Sequence, residues 1–444
     1  MTKIADLFRL DPLAILMIAL VGFVGVSIAF FSYRYLKGDA KYGRFYGTLA
    51  FLLASVFVMV SADHILLFLA AWGISNILLT KLMIHKSSWR AAYQSGILAG
   101  KNFILGFVMI STAITLLYAA SGQTSIHGIS TYNYSLGTLI PAVTLLFLGA
   151  MTQSAIWPFH RWLTSSLNAP TPVSAIMHAG LVNGGGFLLA RFAPLYYQLP
   201  NMLTIIFSIG LISALLGTLW KLMQSDIKRM LACSTMGQMG FMIVQCGLGL
   251  FPAAIAHLCT HGLFKAYLFL SSGSAAQEKR LDLGYPPRFP VFFLSLLCGF
   301  LGSVIFALAI HKNTPVVDTT FILIAMTWIA GAQFSMLILW TQPLKKFPLA
   351  LLATLLLAGL YGSMVYCVEN LLAPLHLMQP QPLNSVHIIG LVFLVVSWLA
   401  ILFARNPGRV AEIPKPVLKL YVKMLNASQP HKKTITAYRN HYQY

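Results

Sequence analysis

Three ionisable side chains stand at regular spacing in the run AHLCTHGLFKAYLFL, residues 256–270: His257, His261 and Lys265. The i, i+4, i+8 interval stacks them on one helix face, about 6 Å of rise apart, which suits a water-bridged proton relay. Imidazole titrates near neutrality and a partly desolvated ammonium is drawn toward that range, so this face offers successive stops for a proton. The surrounding run is apolar, and an ionisable group in hydrocarbon is costly enough to be retained mainly for function. His257 and His261 form HxxxH, but Leu258 stands where a zinc protease would carry Glu, so no metal site is assigned. No matched His pairs on two helices offer a haem stack, and no cofactor is assigned to this chain. Interhelical hydrogen bonding without transport remains an open alternative.

A second constellation is APTPVSAIMHAG, residues 169–180, followed by NGGGFLLAR at 183–191. Pro170 and Pro172 mark a helix start or a broken span, and His178 follows about two turns later. Gly184, Gly185 and Gly186 permit close helix approach; without a GK[ST] ending they are no phosphate loop. Trp157, Pro158, His160, Arg161 and Trp162 read as an interfacial corner. The third run, WKLMQSDIKRMLACSTMGQMGFM at 220–242, sets Lys221, Asp226, Lys228 and Arg229 in a short loop feeding the next helix. Asp226 there suits the helix dipole, and a structural cap explains these charges as well as a functional role does.

The elements that must position these residues are membrane helices. The 444 residues are 58% apolar and 9% charged, with a mean hydropathy of +0.77. Soluble domains carry about 25% charge, so an ordinary water-soluble enzyme is excluded. The reading is an all-α polytopic membrane protein with about 13 transmembrane helices, near 12–31, 46–62, 64–84, 96–119, 138–157, 172–192, 203–221, 230–250, 252–272, 291–311, 320–340, 349–370 and 387–404. The first run continues into Arg34 and Lys37 without a small-residue cleavage site and reads as a retained helix. The formal charge of +20 belongs to loops beside a membrane rather than to a nucleic-acid face. Alternating the loops puts 23 of the 30 Lys+Arg on one side, including Arg34, Lys37, Lys41, Arg44, Lys86, Arg90, Lys279, Arg280, Arg288, Lys345 and Lys346. The 120–137, 193–202 and 371–386 loops opposite contain none. The positive-inside rule then sets the N-terminus outside and the C-terminus in the cytoplasm of a cell inner membrane. A transmembrane domain over 1–404 is followed by a basic cytoplasmic tail, 405–444, suited to a lipid surface or a cytoplasmic partner. The five cysteines, all in apolar stretches without a CxxC pair, read as core residues.

APTPVSAIMHAG, SDIKRMLACSTMGQMGFM and HLCTHGLFKAYLFLSSGS resemble, in order and spacing, signature segments of the proton-pumping antiporter-like subunits shared by respiratory complex I and Mrp-type antiporters, over about residues 10–310. The resemblance implies that family's fold with broken helices. Within the superfamily, HAGLVNGGGFLLARFAPL and THGLFKAYLFLSSGSA in a chain of this length are similar to the DabB-type membrane subunits of two-subunit inorganic-carbon pumps. That resemblance implies a DabA-type partner, a large cytoplasmic zinc protein related to β-carbonic anhydrases, with the zinc and the hydration chemistry in the partner. It carries the relay to His178, His257, His261 and Lys265, and the DIKR loop to Asp226, Lys228 and Arg229, with Lys221 beside it.

The departures from the family pattern are specific. Gly73 follows Trp72 where complex I subunits have Glu, Gln153 stands for a Lys, and Phe107 for an Asp. Lys81 and Lys101 are the candidate substitutes. The expected function is an ion-conducting subunit, carrying protons rather than sodium, of an inorganic-carbon uptake complex, and not an enzyme. The alternatives are a subunit of a respiratory, hydrogenase-type or Mrp complex, or a channel-dead membrane anchor. The topology gives the first prediction. A cysteine at Ser130 reacts with an impermeant maleimide in intact cells, and labelling only after the cells are opened would reverse the assigned orientation.

Overall fold

The computed structural model describes residues 7–273, 286–312, 317–404 and 414–435. Lys279, Arg280, Arg405, Arg409 and Arg439 lie outside the described residues. Helix α1 (Pro12–Tyr35) starts on Asp11, whose carboxylate accepts the Ala14 amide at 2.9 Å, with Pro12 at the first helical position. The following helices are α2 (Tyr42–Ser61), α3 (Ile65–Met83), α4 (Arg90–Ser121), the short α5 (Ile126–Thr131) and α6 (Leu136–Gln153). After the single turn α7 (Arg161–Thr164), one span is interrupted: α8 (Thr171–Ala179) and α9 (Gly184–Arg191) are joined by a 3₁₀ turn at Leu181–Asn183. Every residue from Ala169 to Ala190 is buried, so the break is enclosed by protein rather than lipid.

The short α10 (Ala193–Tyr197) leads to α11 (Pro200–Leu222), α12 (Ile227–Gly247) and α13 (Phe251–Leu270). Helices α14 (Phe289–Ala309), α15 (Thr320–Leu339), α16 (Pro343–Leu372) and α17 (Ser385–Ala404) form a more peripheral group, and α18 (Lys415–Ala427) follows. Among the described residues, 12 helices are long and apolar enough to cross a membrane. Helix α12 is as long as its neighbours but too polar to count with them; it makes the thirteenth span expected from the sequence.

Helix α12 reaches membrane depth through backbone-to-backbone packing on α11. A Cβ at Gly210 would sit 2.7 Å from the Val244 amide nitrogen, and side chains at Gly217, Gly240 or Gly247 would meet the facing backbone. Hydrocarbon gives apolar side chains no reason to bury, so association there rests on such close van der Waals packing. The contacts run the length of both helices and hold α12 parallel to a clearly spanning neighbour.

The end of the bundle at which α1 begins is closed by one buried ion pair. Arg191, at the end of α9, donates to Asp11 ahead of α1 and to the Val60 carbonyl of α2 at 2.9 Å. Lys312 is likewise paired with Asp318. The side expected to be poor in free cations therefore neutralises Arg191 and Lys312 with carboxylates. Ser130 is only 4% exposed, so the labelling test of topology moves to Asn133, which is exposed in the same loop.

Removing one partner of a buried pair strands the other charge, at about 3–5 kcal/mol. Arg191→Ala is accordingly expected to lower thermal stability in detergent more than the double variant Arg191→Met/Asp11→Leu, in which neither charge remains. Equal melting temperatures for wild type and Arg191→Ala would remove the clamp.

Candidate functional site

Helix α13 carries His257, His261 and Lys265 on a buried face, and α8 brings His178 against it. Gly262, next to His261, allows the approach: a Cβ there would lie 2.7 Å from the Ala179 carbonyl oxygen and 3.4 Å from the Asn183 amide nitrogen. Asn183 donates back to the Ala179 carbonyl at 2.7 Å, satisfying backbone freed by the break. The four predicted relay residues thus converge where α8, α12 and α13 meet.

Their polar connections run through α12. Lys265 Nζ donates to the Leu231 carbonyl at 3.4 Å. The same carbonyl accepts the Thr235 hydroxyl at 3.0 Å, and Thr235 Oγ1 lies 3.1 Å from His178 Nδ1. With the hydroxyl proton directed to Leu231, Thr235 accepts from His178 Nδ1–H, which assigns the histidine tautomer from the network. The His178 ring stacks on Phe269, centroids 4.3 Å apart. Further along α13, the rings of His261 and His257 lie nearly parallel with centroids 6.2 Å apart, and Phe241 packs on His257 at 5.1 Å.

His261 Nδ1, His261 Nε2 and His257 Nε2 are buried without a protein hydrogen-bond partner among the described residues. Buried imidazole nitrogens need partners, and at this spacing bridging waters would join one ring to the next. The arrangement can pass protons: each stop is a nitrogen base, and the protein oxygens joined to it are one hydroxyl and one carbonyl.

The remaining predicted residues lie apart from this file. Lys228 donates to the Ala169 carbonyl at 3.2 Å, bridging the start of α12 to the strand of chain that enters α8. It also lines an open basin of about 480 Å³ with Lys37, Asp39 and Lys86. Within that basin the Lys41 backbone amide, bonded to the Asp39 carboxylate, holds Asp39 below the usual carboxylate range, with His85 adding to it. Asp226 accepts the Arg229 amide at 2.9 Å and caps α12, the structural role its position offered. Lys221 is exposed at the end of α11. Lys81 and Lys101, the candidate substitutes for the missing acidic and basic groups, are exposed on α3 and α4, outside the buried file. Their helices are apolar all round, which gives a sequence reading no face to choose.

Two of the three departures from the expected pattern meet in space. Phe107 lies over Gly73: a Cβ at position 73 would stand 3.3 Å from the phenyl ring. Gln153 donates its amide to the Leu181 carbonyl at 3.2 Å, inside the helix break. Beside them is a cavity of about 20 Å³, lined by Met17, Val56, Trp72, Ser75, Gln153 and Gly184. That is room for about one water.

His160, between α6 and α7, is a buried histidine outside the file, its ring 4.8 Å from that of Trp220. Burial, with Arg161 beside it, pushes it down to about 4, so it stays neutral near pH 7. Thr235 and the Leu231 carbonyl are the functional groups that the sequence reading missed. Both lie in the quoted 220–242 run, but their role depends on which face of α12 meets α8.

Comparison with known proteins bears on the whole chain. The NADH:quinone oxidoreductase/Mrp antiporter transmembrane family matches residues 62–304, and the N-terminal family of complex I chain 5 matches residues 3–46. The chain is 32% identical, over 90% of its length and 78% of the relative's, to the probable inorganic carbon transporter subunit DabB1 of Halothiobacillus neapolitanus. It is 38% identical to the probable inorganic carbon transporter subunit DabB of Bacillus subtilis, over 69% of this chain and 61% of that protein. It thus spans less than two thirds of the Bacillus relative. The chloroplastic NAD(P)H-quinone oxidoreductase subunit 5 of Lemna minor is 35% identical over 63% of this chain and 39% of its own. In fold, the chain matches the Mrp complex from Dietzia with a TM-score of 0.59 and 22% identity, over 96% of this chain and 45% of that one.

Replacing Thr235 by Val keeps the shape but removes the link between His178 and the Leu231 carbonyl. Loss of a buried partner is worth roughly 1–3 kcal/mol. Proton flux into proteoliposomes is expected to fall roughly tenfold or more on that scale and to recover in Thr235→Ser. Unchanged flux in Thr235→Val would take the hydroxyl out of the path.

Proposed function

The chain belongs to the NADH:quinone oxidoreductase/Mrp antiporter membrane family and to its DabB group, and from that premise we propose that it is the proton-conducting membrane subunit of an inorganic-carbon uptake complex. One observation carries the reading. A buried, water-bridgeable file of His257, His261, Lys265 and His178 lies beside an interrupted helix in a relative of proteins named as inorganic carbon transporter subunits. Because the file is built from nitrogen bases, the ion is the proton rather than sodium.

The chain's own residues divide the work. Lys228 and the basic basin beside it gather at the cation-rich end, which the positive-inside rule makes cytoplasmic in a bacterial inner membrane. Lys265, held by the Leu231 carbonyl, is a cationic stop that disfavours a second cation nearby, so protons move one at a time. His178, through Thr235, shares that carbonyl and orients the stop. His261 and His257 continue the path along α13 toward the outside. No nucleotide loop occurs in the sequence, so the energy source is the membrane gradient, about 2.3 kcal/mol per charge per 100 mV.

The hydration chemistry belongs to a DabA-type cytoplasmic partner related to β-carbonic anhydrase, which would hold the zinc. The 1–404 region is the membrane domain and 405–444 the cytoplasmic tail. A second reading, a membrane anchor without conduction, is favoured by Phe107 lying over Gly73, which leaves the relay without the acidic pair of its complex I counterparts.

Growth on air levels of CO2 separates the two. Lys265→Ala and His261→Ala strains with normal membrane levels of the protein should lose growth in air and regain it at high CO2. Inorganic-carbon accumulation in wild-type cells should collapse on addition of a protonophore. Normal growth of both variants would leave the anchor reading in place, and accumulation that survives the protonophore would remove proton coupling.

A further inference from the structure

Helix α18 has a sharply divided surface. Lys415, Lys419 and Lys423 recur at i, i+4, i+8, and Asn426 falls on the same side. Val417, Leu418, Tyr421, Met424 and Leu425 form the opposite stripe, with Leu420 and Val422 at its margins. There is no acidic residue in the helix. The apolar side is not packed into the protein: Val417, Leu418, Leu420, Tyr421 and Val422 are 45–55% exposed. Water does not suit a face of this size, so something covers it.

The position of the helix identifies the cover. At its C-terminal end Ala427 packs with Leu216, Trp220 and Met236, at the end of the α11–α12 hairpin. The chain then crosses the loops at that end. Ser428 Oγ accepts from Gln224 at 2.8 Å, and Gln429 accepts from Arg229 at 3.2 Å. The His431 amide donates to Ser165 Oγ at 2.9 Å, and the Thr434 carbonyl accepts from Asn168 at 2.8 Å. These bonds place the C-terminal end of α18 at the cation-rich end of the bundle, level with Lys228 and Arg229 and against the last turns of α11. A helix anchored at that level can turn its apolar face to the edge of the hydrocarbon and hold its lysines at headgroup depth. Apolar stem inward and ammonium outward is the posture that long cationic side chains take at an interface.

We propose that α18 is an interfacial helix seated on anionic phospholipid of the leaflet at the cation-rich end, with residues 428–434 tying it across the loops that lead into α8 and α12. Lysines at one edge of a single helix face, without a carboxylate among them, match negative headgroups better than a protein groove of mixed charge. The inference holds whichever ion the buried file carries.

Spin labels on the full chain in nanodiscs test it. Four of the five cysteines are buried, so Cys367→Ser gives a background for single labels at Leu418→Cys and Lys419→Cys. In phosphatidylglycerol-containing discs, the label at 418 should be accessible to oxygen and shielded from a nickel chelate, and the label at 419 should show the reverse. The contrast should weaken in pure phosphatidylcholine and in Lys415→Glu/Lys423→Glu. Nickel access at both positions would put the helix in water and overturn the proposal. Shielding of 418 from both reagents only when a partner protein is bound would assign the face to protein. A contrast unaffected by lipid charge and by both glutamates would remove the anionic requirement.

Discussion

In hydrocarbon, every polar backbone group and every titratable side chain must find its partner inside the protein, and this fold is organised around the one place where that is hardest. The interruption between α8 and α9 frees backbone groups in the centre of the bundle, beside a histidine and a lysine. Their partners come from the break itself and from two neighbouring helices. Asn183 returns to Ala179, Gln153 and Ser154 reach the Leu181 and Val182 carbonyls, and α12 supplies Thr235 with the Leu231 carbonyl. The wholly buried character of 169–190 follows from this requirement, since a break facing lipid would leave those groups unsatisfied.

The same requirement accounts for α12. A helix bearing Lys228, Arg229, Gln238 and Gln245 does not partition into a bilayer on its own hydropathy. It is held there by glycine contacts with α11, and the close approach puts its carbonyls where Lys265 can use them. Packing and function are therefore one argument at this position: the small residues that bring α12 in also fix the register of Thr235 against His178.

Much of this was legible in the sequence, for physical reasons particular to each element. All thirteen expected spans correspond to helices, because a run of about 20 apolar residues is a long signal. Of the two readings of the APTP segment, a helix start or a broken span, Pro170 and Pro172 mark the start of α8; the break comes later, at Leu181–Asn183. The i, i+4, i+8 spacing gave the buried face of α13. What was not legible depends on which distant segments meet. Arg191 and Asp11 are 180 residues apart, and the tail reaches Ser165 and Asn168 across 266. That Lys81 and Lys101 turn to the surface was not legible either, because which face of α3 and α4 is inward depends on their neighbours. Asp226 answered its own ambiguity only through the bond to the Arg229 amide.

The contact between Phe107 and Gly73 bears on how such a chain can differ from its relatives. Read singly, a glutamate replaced by glycine and an aspartate replaced by phenylalanine are two losses of function. In the structure they are one exchange, in which a side chain removed at 73 makes the space that a ring at 107 fills. Volume-conserving swaps of this kind are tolerated where single changes of size are not. Any side chain restored at 73 alone would press on the ring, so position 73 can regain one only if the ring at 107 gives way. The proposed conduction then rests on the buried groups of α13 and α8, Lys265, His261, His257 and His178.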